Sequence, residues 1–277
     1  MALKVDLHSH TFYSDGTFSP EELVGRAKKA GLSVLSITDH DSMEGIPAAV
    51  KSAAGDLEIL PGVELTVAFR DRELHILGYG IDPRNTPFIS FLKRMRAKRT
   101  DRIRKMIEKL KAKGIQISFE EVKAAAGNGA IGRPHLAEIL LKKRYVPSFQ
   151  EAFQQYIGDR APCFVKEATL TVPEAVELVR SAGGVTSLAH PYRIVEDAWL
   201  PELIAAGIQG IEVYHSEHPE TVSAIYRKFA EDNGLLITGG SDCHGFRKEP
   251  GPLIGTVFLP EEDFFRLREA IAAVPRK

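Results

Sequence analysis

The stretch LKVDLHSHTFYSDGTFSPEELVGRAKKAG, residues 3–31, reads as one strand–loop–helix unit. LKVDLH predicts a strand. Ser19 predicts an N-cap, Pro20 the first helical position, Glu22 the closing residue of a capping box, and Gly31 the end of the helix. The same rhythm recurs along the chain. LSVLSITDHD precedes the helix IPAAVKSAAG, and EILPGVELTVAFRDRELHILGYG reads as a strand entering a hairpin that turns at RDRE. Further on, the helix TVPEAVELVRSAGG, with Thr171 and Glu174 as a capping box, precedes VTSLAHP. GIEVYH, LLITGGSDCH and IGTVFLP then alternate with helical patterns. Strands alternating with helices predict a parallel α/β sheet.

Between Ile81 and Ala161 the rhythm changes to helices without a convincing strand, with Ser118/Glu121 and Ser148/Glu151 as further capping boxes. We therefore expect residues 1–80 and 162–277 to form one α/β unit and 81–161 to be a helical insertion. About seven strands are expected, enough for a barrel-like closure though one short of the eight-stranded (β/α) barrel. An open doubly wound sheet is the alternative.

The 277 residues, 44% of them hydrophobic, suffice for a sizeable core, and the formal charge of -1 gives no global bias towards nucleic acid or membrane. No stretch approaches the roughly 20 apolar residues of a membrane span. A cytoplasmic protein is expected, with Cys163 and Cys243 as free thiols.

Nearly every expected strand ends in His, Asp or Glu: His8 and His10, then Asp39, His40 and Asp41, Glu64, His190, His215, and Asp242 with His244. His75 follows on the hairpin. In a parallel barrel all these ends share one mouth. Residues two apart in extended chain point the same way, so His8 with His10, and Asp242 with His244, each present two ligands to one side and Cys243 points away. A single histidine is more often structural than a ligand. Seven of the nine histidines, however, fall on the expected active face. His218 is expected on the surface and His135 is less constrained. Asp39 and Asp41 are expected to cap or support, and Asp6 to orient a ligand histidine. Nine candidate ligands (His8, His10, Asp15, His40, Glu64, His75, His190, Asp242, His244) exceed what one ion needs. Two or three divalent ions are expected, manganese first, with zinc and iron suited to the same donors and magnesium less so.

DLHSHTFYSDG, SITDHD, GVE, LHILGYG, LAHP, IEVYH and GSDCH, in that order across essentially the whole chain, resemble the motif series of the PHP (polymerase and histidinol phosphatase) superfamily. The resemblance implies a distorted seven-stranded (β/α) barrel with a trinuclear site that hydrolyses phosphoesters. By motif, His8, His10, Glu64 and Asp242 would hold one ion, Glu64, His75 and His190 a second, and Asp15, His40 and His244 a third. A hydroxide bridging two metals would attack phosphorus, and His215 or Asp242 would protonate the leaving oxygen.

Within 81–161, the run Lys93–Lys113 carries eleven Lys or Arg against only Asp101 and Glu108. Phe88, Leu92, Met95, Ile103, Met106 and Leu110 form a stripe at helical spacing, and Arg99 fills its gap. An inward arginine needs an anion, so Arg99 is a phosphate-binding candidate. GRPH places Arg133 at a helix start, a second anion site. The similar PHP branch is that of bacterial nucleoside 3′,5′-bisphosphate phosphatases that also act as 5′ to 3′ exoribonucleases on short RNA. That resemblance implies Arg133 and His135 on a small nucleotide or short single-stranded RNA. Histidinol phosphatase or another small-molecule phosphatase, a cyclic or exonucleolytic phosphodiesterase, and a non-catalytic metal-stabilised module are the rival readings. No obligate protein partner is indicated.

Overall fold

The structure is a computed structural model that describes residues 3–127, 129–166, 170–192, 195–247, 251 and 253–275. The chain begins with β1 (Val5–Asp6) and α1 (Pro20–Lys29), then β2 (Val34–Ile37), α2 (Ile46–Ala53), β3 (Glu58–Phe69) and β4 (Arg72–Tyr79). Four α-helices follow: α3 (Thr86–Ala112), α4 (Phe119–Ala126), α5 (Arg133–Lys142) and α6 (Phe149–Ala152), the last running into one π-helical turn, Phe153–Ile157. The chain then returns to β5 (Leu170–Thr171), α7 (Val172–Ser181), β6 (Val185–Leu188), α8 (Leu200–Ala205), β7 (Gly210–His215), α9 (Glu220–Asp232), β8 (Leu236–Gly240) and α10 (Glu261–Ala273).

The first unit forms as its sequence dictates. Ser19 accepts from the Glu22 amide at 3.1 Å, the Glu22 carboxylate accepts from the Ser19 amide at 2.8 Å, and Gly31 leaves the helix at φ +74°.

The strands lie in the order β1-β2-β3-β4-β6-β7-β8, with β5 beside β3. β8 returns to β1, because the Leu7 amide reaches the Gly239 carbonyl at 3.1 Å and the Asp242 amide the His8 carbonyl at 2.8 Å. The result is a nearly closed, distorted barrel of seven strands. Gly240 permits that seam, since a Cβ there would sit 2.2 Å from the His8 nitrogen.

The expected hairpin forms: a two-residue turn, with Arg70 at φ +54°, reverses the chain without a crossover, so β4 runs antiparallel to both β3 and β6 in an otherwise parallel barrel. One expectation is corrected. IGTVFLP is not a strand. A turn from Leu253 to Thr256 with Gly255 at φ +73° interrupts it, and only Leu259 bridges to Val5.

Two apolar cores result. The barrel core runs from Val5 and Leu7 to Ile271, and the helices enclose a second, from Ile103 and Met106 through Leu136 and Leu140 to Cys163. α3 belongs to both: Phe88 and Leu92 pack in the first, and Ile103 to Leu110 in the second. Arg99 and Arg102 sit where the helix passes from one core to the other, and there it crosses the barrel mouth. Cys163 and Cys243 are buried free thiols. Among the described residues no helix is long and apolar enough to cross a membrane.

Candidate metal centre

Glu64 lies in the middle of β3 rather than at its end, because β3 continues past the mouth as one arm of the hairpin. Its carboxylate is 1% exposed and faces histidines from several elements. Oε2 lies 3.4 Å from His8 Nε2, 3.2 Å from His10 Nε2 and 3.3 Å from His40 Nδ1, while Oε1 lies 2.8 Å from His75 Nδ1 and 3.0 Å from His190 Nε2. His75 reaches the group because β4 is reversed, which places it opposite Thr66 near the mouth. The loop after β1 presents His8 and His10 together, and Asp242 Oδ1 is 3.3 Å from the one and 3.1 Å from the other. Asp15 Oδ1 is 3.4 Å from His244 Nε2 and its Oδ2 is 3.8 Å from His40 Nε2. All nine side chains expected as ligands therefore meet at one end of the barrel. His10, Asp15, His40 and His244 form one set whose donor atoms lie within 4.8 Å of one another. His8, His10 and Asp242 form a second, and His40, Glu64 and His75 a third.

These residues fit divalent cations. His10 Nε2, Asp15 Oδ1 and His40 Nδ1 are buried without a hydrogen-bond partner, although each lies within about 3–4 Å of other donor atoms. Two ligand atoms at about 2.1 Å from one tetrahedral ion lie roughly 3.4 Å apart, so the spacing suits shared cations better than direct hydrogen bonds. The charges agree. Burial alone would lift the Glu64 carboxyl, but His40, His75 and His8 hold it well below the usual carboxylate range. Burial would lower His8, yet Glu212, Asp242 and Glu64 push it well above the ordinary histidine value. His10, likewise opposed by burial, is raised to about 10 by Asp242 and Glu64. The cluster is rich in buried carboxylate and demands positive charge.

The backbone around it is strained. Asp41, His190 and Asp242 have φ of 49°, 27° and 51°, left-handed conformations that few non-glycine residues adopt. Asp39 accepts from the Thr11 amide at 2.7 Å and from the Thr11 and Ser14 hydroxyls at 2.6 and 2.5 Å, which fixes the loop carrying Asp15.

Asp6 does not hold a histidine ring. It accepts from the Ser241 and His8 amides at 2.9 and 3.4 Å, and so pins the barrel seam. The ring partner of His8 is Glu212, which the sequence reading missed: its Oε1 lies 2.9 Å from His8 Nδ1 and its Oε2 accepts from the His190 amide at 2.7 Å. A carboxylate inside the apolar strand GIEVYH was the available signal. A register shift between Glu212 and Tyr214 turns both Glu212 and His215, three residues apart, into the barrel.

His215 Nδ1 accepts from the Glu217 amide at 3.1 Å, so its proton is on Nε2, 3.4 Å from Asp242 Oδ2. His218 is not a surface residue. It is half-buried at the mouth, Nδ1 donates to the Val213 carbonyl at 2.9 Å, and its ring centroid is 5.1 Å from that of His215.

Across the mouth stand three arginines. Arg99 donates to Asp41 and Thr66, and Arg133 donates to Asp159 at 2.5 Å and Glu73 at 3.0 Å. Arg102, unexpected from sequence, meets the other oxygen of Glu73 at 2.9 Å and is 5% exposed. His135 does not join them. It is 1% exposed and turned from the mouth towards Arg247, and its Nδ1 accepts from the Gly132 amide at 3.1 Å, mimicking a capping box. An imidazole so engaged stabilises the start of α5 and has no path to a ligand at the mouth.

Comparison with known proteins agrees with this geometry. Residues 6–157 match the PHP domain family. The chain is 32% identical over 250 residues to a 5′-3′ exoribonuclease of Haemophilus influenzae, covering 88% of this chain and 91% of that one. It is 33% identical over 247 residues to a 3′,5′-nucleoside bisphosphate phosphatase of Chromobacterium violaceum, covering 87% of each. A crystal structure from Bifidobacterium adolescentis, described as a metal-dependent phosphoesterase, superposes with a TM-score of 0.85 at 31% identity, covering 96% of both chains. A barrel of this topology, with its His and carboxylate cluster and these relatives, places the chain in the PHP domain family.

Proposed function

We propose that the chain is a divalent-metal phosphoesterase that removes the 3′-phosphate of nucleoside 3′,5′-bisphosphates and shortens 5′-phosphorylated RNA from its 5′ end. One observation supports this most strongly: the cluster around Glu64 and the arginines Arg99, Arg102 and Arg133 line the same cavity of about 300 Å³. That volume is at the scale of one small ligand, and of its two cationic walls one would be formed by metal ions and the other by arginines that exchange partners among Asp41, Glu73, Asp159 and a second phosphate.

In this reading His8, His10, Glu64 and Asp242 would hold one cation, Glu64, His75 and His190 a second, and Asp15, His40 and His244 a third. We expect manganese from a donor set of nitrogen and oxygen. Cations bound there supply a water of lowered pKa and neutralise charge on phosphoryl oxygens. Arg99 and Arg133 orient the ester through the other phosphate. His215, whose Nδ1 accepts from the Glu217 amide, presents its Nε2–H beside Asp242 as a hydrogen-bond donor to the departing oxygen. We take residues 1–80 and 162–277 as the metal-binding barrel, 81–161 as an insertion over its mouth, and the cytoplasm, where Cys163 and Cys243 stay reduced, as the compartment.

The test is turnover by manganese-loaded protein of adenosine 3′,5′-bisphosphate, a 5′-phosphorylated oligoribonucleotide and histidinol phosphate, with RNA products resolved by length. Free phosphate from the first and successive mononucleotides from the second are expected. Inertness towards both nucleotides, or preference for histidinol phosphate, overturns the reading. His8→Ala and Asp242→Ala should abolish turnover with the fold intact.

A further inference from the structure

The mouth adjoins a second, larger cavity. It has a volume of about 1500 Å³ and shares Phe149, Phe153 and Glu217 with the mouth. From there it runs past Ser14 and Gly16, on the Asp15 side of the cluster, to Phe12 and Phe246. These two rings are exposed, at 38% and 65%. Neither is loose. The Phe12 amide donates to the Phe18 carbonyl at 2.9 Å, and the Phe246 amide to the Thr17 hydroxyl at 2.9 Å. The Phe246 ring packs edge-on to Phe18 at 5.2 Å, with the Arg26 guanidinium 5.4 Å from its centroid. Held, solvent-facing aromatic rings are costly to expose and are the platforms on which unpaired bases stack.

A mouth sized for one nucleotide cannot hold the second residue of an RNA. The chain beyond the scissile phosphate must leave by an adjoining channel, and two such channels are formed among the described residues. One passes Arg72, Glu73, Asp159 and Arg160, on the side of the arginine wall, and among the described residues Phe153 is the one Phe, Tyr or Trp that lines it. The other carries Phe12, Phe149, Phe153 and Phe246, with Arg247 at its side. We infer that this aromatic groove carries the downstream strand of single-stranded RNA, its bases stacked on Phe12 and Phe246, while the 5′ nucleotide occupies the mouth. This inference rests on the phosphoesterase reading and names the determinant of long over short substrates.

The experiment compares Phe12→Ala, Phe246→Ala and the double variant with the parent on adenosine 3′,5′-bisphosphate and on a 5′-phosphorylated ten-residue RNA, and measures binding of the same RNA, fluorescently labelled, by anisotropy. Each single change should lower kcat/KM for the RNA by about fivefold or more and weaken its binding alike, as loss of one stacked base does. Turnover of the bisphosphate should stay within about twofold, a margin worth under 0.5 kcal/mol. Arg160→Glu, at the other channel, should alter neither. Unchanged RNA turnover, equal loss on both substrates, or an effect confined to Arg160→Glu overturns the groove. So does concentration-dependent self-association that the double variant abolishes, which would make the two rings a contact between copies. If the parent hydrolyses neither nucleotide, the phosphoesterase reading fails, and the anisotropy series alone decides whether the groove binds RNA.

Discussion

The Glu212 carboxylate lies 2.9 Å from His8 Nδ1, which leaves His8 Nε2 facing Glu64 and Asp242. Removing the charge while keeping the shape isolates that hold on the ring. Glu212→Gln should weaken manganese binding by about 10–100-fold, the usual effect of losing an outer partner of a ligand histidine. A competition titration against a chelating dye measures it, and unchanged affinity would remove Glu212 from the metal machinery.

Cation binding should also stabilise the fold. The cluster gathers side chains from β3, β4 and the loops after β1, β2, β6 and β8, so ions bound there favour the folded chain by mass action. Manganese at about 100 times its dissociation constant should add about 2.7 kcal/mol. Thermal melts in manganese and in excess chelator would show it as a rise in Tm, and coincident melts would contradict a resident metal site.

Arg133 should matter to one phosphate only. Arg133→Ala should raise KM for adenosine 3′,5′-bisphosphate by about tenfold or more, on the order of 1.5–3 kcal/mol for a charge-assisted hydrogen bond. A 3′-monophosphate, lacking the second anion, should be turned over as by the parent enzyme. A melt checks that loss of its pairing with Glu73 and Asp159 leaves the fold intact.

His135 should make the fold sensitive to acid. Burial, reinforced by the nearby Arg247 guanidinium, lowers it from 6.5 to about 4. The unfolded chain therefore takes up a proton that the folded chain refuses between those values, and stability falls as pH drops from 6.5 towards 4. The loss attributable to this residue is about 3 kcal/mol. Urea unfolding at pH 7 and pH 4.5 should show a steeper decline for the parent than for His135→Gln; parallel declines would refute the assignment.

Two glycines in one fold should respond with opposite signs. Gly240→Ala drives a methyl against the His8 backbone at the barrel seam and should cost about 3 kcal/mol, the upper end for overpacking. Gly25, inside α1 with nothing within 4 Å, should gain about 0.5–1 kcal/mol on change to alanine. Denaturant midpoints report both.

The sequence announces what depends on local spacing. The capped helix after Ser19 and the pairing of His8 with His10 are local, and both are legible. Reversal of β4 follows from a turn only two residues long, which the hairpin suggests, but its effect of carrying His75 to the mouth depends on register with β3. Glu212 escaped because strand alternation assigns only one of Glu212 and His215 inward, and a bulge overrides it. Arg102 was hidden among the basic residues of α3, since one helix face gives no hint that it crosses from one core to another. His218 and His135 were misplaced for a common reason: hydrogen bonds to backbone groups of their own neighbourhood turn each ring, and composition does not record that.

The seam between β1 and β8 has a consequence for the order of folding. The Ser241 amide and the Asp6 carboxylate that pin it lie 235 residues apart in the chain. Contacts of such separation form late, because loop closure must be paid for before they reward it. The full set of His and carboxylate side chains therefore comes together only when the seam closes, and damage to the seam should disperse the cluster while leaving the locally capped helices in place.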